Sequence, residues 1–433
     1  MKKIALILLV VVSSFANNPI EEWKDNFAAK MGIEFGQTDK KGRTFYFGQS
    51  IVNVTPLDPA YVKEMALAYE KAILNMQADF ILQTFGKAVV RKLYETVEND
   101  STNVDEFPPL PEAEKMASKG KIGIIIDKAL DVIENSLDQK LIEQGVSPDR
   151  LKKMTIEQKK QLFKDNLTSN MIKQAFHSMR GLVPYQVKIA TIDTGIGKAT
   201  AVAVIAIQSP KTIQFAKDIA KKRPTMVRGK PKRFQEILPK KKEDYLKEIG
   251  LRYTYDEEGR PMLISYGLWS VTIKTKNPTR YLKKINIAKR KARMKAESFI
   301  GDFIKTNIEA VEKLDVSSID EEIARKITTI SSTSRSSQRI NDEIKETLDK
   351  YFKTVKATSN FHLQGTSEIK NWDYKDQNGL IYVGSVVTWT YNQLQNAKNY
   401  INMQKAHKKP AKRQSTNIVI DRESKVINDI EDF

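Results

Sequence analysis

The strongest constraint on this chain is that a set of turns and junctions occurs twice in the same order. Asp39-Lys40-Lys41-Gly42-Arg43 and Asp256-Glu257-Glu258-Gly259-Arg260 share the pattern D-x-x-G-R 217 residues apart, and Gly48 and Gly267 follow 219 apart. Each turn lies between apolar and aromatic stretches, so each reads as a β-hairpin with glycine where the turn favours positive φ. The next junction repeats too. Val52, Val54, Asp58 and Pro59 match Val271, Ile273, Asn277 and Pro278 at the 219 offset. Alternation puts Trp269, Val271 and Ile273 on one side of a strand, and Pro278 suits the first turn of a helix. That helix carries Ala288, Ala292 and Ala296 at four-residue spacing near Ile285, Phe299 and Phe303, small residues that let a helix axis lie close to a sheet. In the first copy, over Ala60 to Phe85, Ala68 and Ala72 fall one residue out of step, while Phe80 and Phe299 return to the 219 offset.

A second block closes each copy. Val187 to Ile207 reads as two strands about Asp193-Thr194-Gly195-Ile196-Gly197, and His362 to Trp389 as two strands about Asp376-Gln377-Asn378-Gly379. A helix follows each, with Ala216-Lys217 and Ala397-Lys398 181 residues apart. Four blocks in one order imply an internal duplication. The expected fold class is α+β, with two tandem repeats. Each repeat is an antiparallel sheet with an Ala-rich helix packed on one face and a helical insertion.

The expected organisation is a signal peptide over 1–16, an N-terminal helix over 17–31 and repeat 1 over 32–224 with its insertion at 87–184. A basic linker at 225–249, repeat 2 over 250–409 with an insertion at 306–361, and a C-terminal tail at 410–433 complete it. The first insertion holds a Pro-rich loop, Phe107 to Pro111, and helices near Ile122 to Gln144 and Thr155 to Met179, with a capping box in Thr155 and Gln158. The second is helical around a Ser/Thr-rich loop, Ser331 to Ser337. At the N-terminus, Lys2 and Lys3 precede the apolar run Ile4 to Val12, and Ser14-Phe15-Ala16 suits cleavage after Ala16. The expected localisation is therefore periplasmic or secreted. The sequence has no cysteine, which excludes disulfides, thiol catalysis, cysteine metal sites and a lipid-modified cysteine.

The net charge is +19, unevenly spread. Arg280, Lys283, Lys284, Lys289, Arg290, Lys291, Arg293 and Lys295 fall between 280 and 295 without one acid, and Lys221 to Lys242 and Lys405 to Arg413 are further basic runs. From Asp421 onward the chain turns acidic. Those eight cations are the candidate binding residues for an anionic partner: envelope proteins, an anionic envelope polymer, or peripheral contact with a membrane surface. Export sets nucleic acid aside, and a homo-oligomer stays open. A solvated face is the plainer reading of the same charge.

Catalytic groupings do not emerge. His177, His362 and His407 stand far apart, and Gly195 to Thr200 lacks both the P-loop's first glycine, where Ile192 stands, and a Ser or Thr directly after Lys198. Asp256-Glu257-Glu258 and Glu321-Glu322 fall in a turn and on a helix surface, so a glycan hydrolase is the least favoured reading. No cofactor or metal is expected. Trp269, Trp372, Trp389, Tyr266 and Tyr382 form either core or an aromatic surface in repeat 2.

The strand leading into Ala288-x3-Ala292-x3-Ala296, with the later strand Gly365-Thr366-Ser367-Glu368-Ile369, resembles a bacterial envelope module. It is similar to the domain of outer-membrane lipoproteins and of flagellar basal-disk proteins of the FlgP and FlgT type. The resemblance implies assembly into rings or disks around envelope machines and supplies no catalytic residues. This chain departs from it in lacking a lipidation cysteine and in carrying two copies with large insertions. A non-enzymatic structural or assembly protein of the envelope is the leading expectation, and a module for an anionic polymer or lipid surface the alternative.

Overall fold

The computed structural model describes residues 18–100, 107–118, 121–195, 197–273, 275–312, 345–347, 349–350, 353, 363–377 and 379–407. The expected signal peptide, the Ser331–Ser337 loop, His362 and the tail at 410–433 lie outside them.

Unit 1 begins with helix α1 (Pro19–Met31), then β1 (Thr44–Ile51) and the long α2 (Tyr61–Asp100). An insertion of α3 (Leu110–Ser118), α4 (Ile122–Val132), α5 (Leu137–Glu143), α6 (Pro148–Leu151) and α7 (Ile156–Ser178) follows. The unit closes with β2 (Val183–Asp193), β3 (Lys198–Gln208) and α8 (Pro210–Ala220). After the short α9 (Phe234–Ile237), unit 2 is built from β4 (Gly250–Tyr255), β5 (Pro261–Val271), α10 (Pro278–Glu312), β6 (Thr366–Lys375), β7 (Ile381–Trp389) and α11 (Tyr391–His407). Both sheets are antiparallel, ordered β1-β3-β2 and β4-β5-β7-β6. The fold is α+β with two repeated units.

Strand register carries the duplication to single residues. Gly48 pairs with Val204, and Gly267 with Ser385. Both outer strands shift register at matching places, between Pro184 and Gln186 and between Glu368 and Lys370. Both Asp turns are built alike. Asp39 accepts the amides of Lys41 (2.8 Å) and Arg43 (2.9 Å), and Asp256 those of Glu258 (2.9 Å) and Arg260 (2.8 Å). Gly42 and Gly259 take φ of 72° and 71°, which glycine adopts without a Cβ clash.

The Ala stripe lies against the sheet because each central strand lacks a side chain there. A Cβ on Gly267 would stand 2.0 Å from the Ala292 carbonyl and 2.6 Å from the Ala296 amide, and one on Gly48 2.2 Å from Ala72 O and 2.6 Å from Met76 N. The helices therefore correspond at an offset of 220, one more than the strands. Phe80 and Phe299, which match at 219, are not equivalent: Phe80 packs on Tyr46 and Phe299 on Tyr69.

Three expectations change. The first arm of the unit 1 hairpin makes one bridge, Thr38 with Thr44, where unit 2 has the full strand β4. Gly36 at φ 78° breaks its extension, and Phe35 turns toward Phe27 of α1. The unit 1 helix does not stop near Phe85: α2 runs on to Asp100 because Val89, Val90, Leu93 and Val97 continue its buried face against the insertion. Gly86 is no helix stop but lets Ala117 and Ile122 approach. The expected linker at 225–249 is a packed segment. Val227, Tyr245 and Ile249 are buried, and Tyr245 lies 5.4 Å from the Trp372 ring on the sheet face opposite α10. In unit 1 the corresponding outer face is covered by α1, through Ile20 on Ala201 and Ala203.

One core joins the units. Val62, Ala66 and Tyr69 of α2, Phe215 and Ile219 of α8, Leu251 of β4 and Phe299 and Ile300 of α10 belong to it.

Candidate functional site

The eight predicted cations sit on the first half of α10, and its packing sorts them. Ile285, Ala288, Ala292 and Ala296 face the sheet and are buried. At 100° per residue the opposite side carries Lys283, Ile287, Arg290 and Met294. Arg280, Lys283, Lys284, Arg290, Lys291 and Arg293 are exposed, and Lys289 and Lys295 are half-buried. Three are held in place. The Lys291 ammonium stands 4.6 Å from the centre of the Trp269 ring. Arg293 Nε donates to Glu297 at 3.0 Å, and Lys295 Nζ bridges to Glu70 of unit 1 at 2.5 Å. Among the described residues, Arg280, Lys283, Lys284, Lys289 and Arg290 have no acidic partner. Lys295 is thus an inter-unit strut rather than a free binding group, since its charge is satisfied by Glu70.

What the cation count alone did not reveal is the apolar surface among the charges. Leu282 is 58% exposed and Met294 67%, with Ile287 and Tyr281 also exposed. A strip that mixes unpaired cations with exposed aliphatic groups suits a partner that is both anionic and apolar, because each group then finds a counterpart. The helical pattern of Leu282, Ile287 and Met294 against the buried alanines was available in the sequence, but it became meaningful only once the inward side was fixed.

Unit 1 shows what the side of such a helix does. Tyr69 stacks on Phe299 at 4.9 Å, its ring covers Gly250, and its hydroxyl accepts the Leu251 amide at 2.9 Å. Burial pushes the Tyr69 phenol up to about 12. α8 packs on α10, and β2 lies beside β4. The contact is head-to-tail: a two-fold relation would bring Lys289 to Asp79, but Asp79 lies instead with Gln83, Lys24 and Lys345. On α2 the side stripe Val62, Ala66 and Tyr69 is buried under unit 2. The equivalent stripe of α10 is Leu282, Asn286 and Lys289, of which Leu282 and Asn286 are exposed and Lys289 is half-buried. Ala66 and Tyr69, buried under unit 2, thus correspond to Asn286 and Lys289 on α10.

A cavity of about 680 Å³ opens where the units meet, lined by Leu67, Leu74, Met76, Leu182, Phe299 and Phe303, with Glu70 and Asp302 among its polar groups. Trp372, Trp389 and Tyr266 are buried, so the aromatic-surface alternative is set aside, and Trp269 is half-buried beneath Lys291. His177 lies exposed on the last turn of α7, and Gly195 and Gly197 form the β2–β3 turn. Among the described residues no three His, Asp or Glu side chains are grouped to hold a metal ion, and no helix is long and apolar enough to cross a membrane.

These features define a duplicated α+β protein whose second unit exposes a basic, partly apolar helix face. A family model described as a domain of unknown function, DUF6844, matches residues 122–221, from the start of α4 to just past α8, and leaves α10 outside. A crystal structure of a hypothetical protein from Francisella tularensis is similar in fold, with a TM-score of 0.51 and 21% identity over 86% of this chain and 88% of that chain. No curated protein matches the chain.

Proposed function

We propose that the chain is an exported, non-enzymatic assembly protein of the bacterial cell envelope, acting in the periplasm after cleavage of its leader, and that the basic face of α10 holds an anionic partner. One observation carries this reading. The side stripe that unit 1 uses to dock unit 2 is replaced in unit 2 by exposed Leu282 and Asn286 and half-buried Lys289, next to exposed Lys283 and Arg290, which have no acidic partner among the described residues. A face that is scaffold in one copy is thereby freed for another task in the second. The resemblance to envelope modules of the FlgP and FlgT type supports a place in a multi-protein ring or a secretion or motility apparatus. A second reading, direct binding of an anionic lipid surface, is favoured by Leu282, Ile287 and Met294, which give acyl chains an apolar contact beside the cations.

Cosedimentation with vesicles of phosphatidylglycerol and phosphatidylcholine, next to capture of envelope proteins on the immobilised chain, tests both. Binding that falls steeply between low and high salt and is lost in Lys283→Glu/Arg290→Glu is expected. Binding that ignores salt and survives the charge reversal contradicts the assignment.

A further inference from the structure

The free stripe of unit 2 raises the question of what covers it when no external partner is bound. Its equivalent on α2 is buried by another part of the same chain. α11 is the unit 2 counterpart of α8, the helix that flanks the docking side of unit 1 by packing on α10. α11 contacts β6, the edge strand of unit 2 that corresponds to β2, which in unit 1 lies beside β4 of the next unit, so α11 stands at the matching edge of unit 2. The chain past α11, residues 408–433, ends in Asp421-Arg422-Glu423-Ser424-Lys425-Val426-Ile427-Asn428-Asp429-Ile430-Glu431-Asp432-Phe433. Its five carboxylates against two cations oppose the charge of α10, and Val426, Ile427, Ile430 and Phe433 offer apolar partners for Leu282, Ile287 and Met294. Residues 408–420 reach up to roughly 40 Å when extended. The stripe from Leu282 to Arg293 is only about 17 Å long at helical rise. Reach is not limiting.

We infer that the acidic C-terminal segment, Asp421 to Phe433, docks in cis on the exposed basic face of α10 and competes there with the external anionic partner. The inference rests on the reading that this face receives anions. Of the other basic runs, Lys405 to Arg413 is the stretch that joins α11 to the tail itself, and Lys221 to Lys242 is a weaker seat. Tyr245 and Val227 anchor its neighbourhood into the core, and Met226 is its one strongly exposed apolar side chain among the described residues. α10 alone sets several exposed apolar groups within the cations.

Zero-length carbodiimide cross-linking of the full chain, mapped by mass spectrometry, tests the docking. Expected are amide links from Asp429, Glu431 or Asp432 to Lys283, Lys284 or Lys289 in the monomer at low salt, lost in 0.5 M salt. Links at Lys295 to Glu70 and Lys159 to Asp138, whose ion pairs are 2.5 and 2.8 Å long, serve as internal controls. Tail links to the 221–242 lysines alone, tail links confined to a dimer, or no tail link while the controls form, each overturn the inference. A full-chain variant with Asp421→Asn, Glu423→Gln, Asp429→Asn, Glu431→Gln and Asp432→Asn is then compared with the parent on phosphatidylglycerol vesicles. Several-fold tighter binding by the variant is expected. Equal binding by both proteins overturns the competition and leaves the vesicle reading standing. Cross-links to α10 with no vesicle binding by either protein uphold the docking and remove lipid as the external partner.

Discussion

Replacing Gly267 by alanine tests the close helix–sheet contact on which each unit is built. The added Cβ would stand 2.0 Å from the Ala292 carbonyl oxygen and 2.6 Å from the Ala296 amide, where ordinary contact begins near 3.4 Å. Both neighbours are backbone, so no rotamer change relieves the overlap. Either α10 retreats by roughly 1 Å or β5 bows, and each response loosens Ile285, Ala288, Phe299 and Ile300 against the sheet. Overpacking of this kind costs about 1–3 kcal/mol. The lower chain entropy of alanine in the unfolded state returns only about 0.4–1 kcal/mol. A net loss of about 1–2 kcal/mol is therefore expected, read as a fall in the urea midpoint at unchanged slope. Gly301→Ala is the matched control. Among the described residues its Cβ would meet nothing nearer than Leu363 Cδ2 at 4.0 Å, and alanine is better by about 1 kcal/mol inside a helix, so this change stabilises. Gly48→Ala in unit 1 should behave like Gly267→Ala. If Gly267→Ala leaves the midpoint in place or raises it, the helix does not lie where the duplicated architecture requires.

Two further outcomes follow from the packing between and within the units. Tyr69→Phe keeps the ring on Phe299 but leaves the buried Leu251 amide without its 2.9 Å acceptor, a loss of about 1–3 kcal/mol in urea unfolding; an unchanged midpoint would show that this bond does not join the units. Burial raises the Asp79 carboxyl above its ordinary value, against the opposing effects of Lys345, Gln83 and Lys24. The folded state thus binds its proton more tightly than the unfolded state. The Asp79 contribution is therefore most favourable below the unfolded pKa and is lost as pH rises through the folded one. Asp79→Asn should stabilise the protein at pH 7 and not at pH 3.5, and an equal effect at both values would refute the assignment.

The parts of the fold that could be read from the residues are those set by local chemistry. The D-x-x-G-R turns, the proline at the start of α10, the Thr155–Gln158 capping box and the Ala stripe each follow from geometry within a few residues, and each is present. What stayed hidden depends on tertiary packing. Nothing local told that Phe85-Gly86 would not end α2, because burial against α3, α4 and α7 carries that helix on to Asp100. The single-residue slip between Gly48–Gly267 and Ala72–Ala292 was visible, but its meaning came from the backbone contacts at each glycine. The stretch before β4 looked like a linker because lysines and arginines are interspersed among its apolar residues, yet Val227, Tyr245 and Ile249 are buried. For the candidate site, the eight cations were legible as a cluster. Their division into the strut Lys295, the ring-held Lys291, the paired Arg293 and the unpaired remainder required Glu70, Trp269 and Glu297 to be placed in space.

The central claim is that the second unit's basic helix face is the working surface while its first-unit counterpart is scaffold. Vesicle binding by the full chain measures it most directly, with two double charge reversals compared at low and high salt. Lys283→Glu/Arg290→Glu should abolish binding to phosphatidylglycerol vesicles and leave the unfolding midpoint near that of the parent. Lys63→Glu/Lys71→Glu, which reverses the two cations on the corresponding part of α2, should leave binding intact. Equal losses from both pairs, or retained binding after the α10 reversal, would contradict the account.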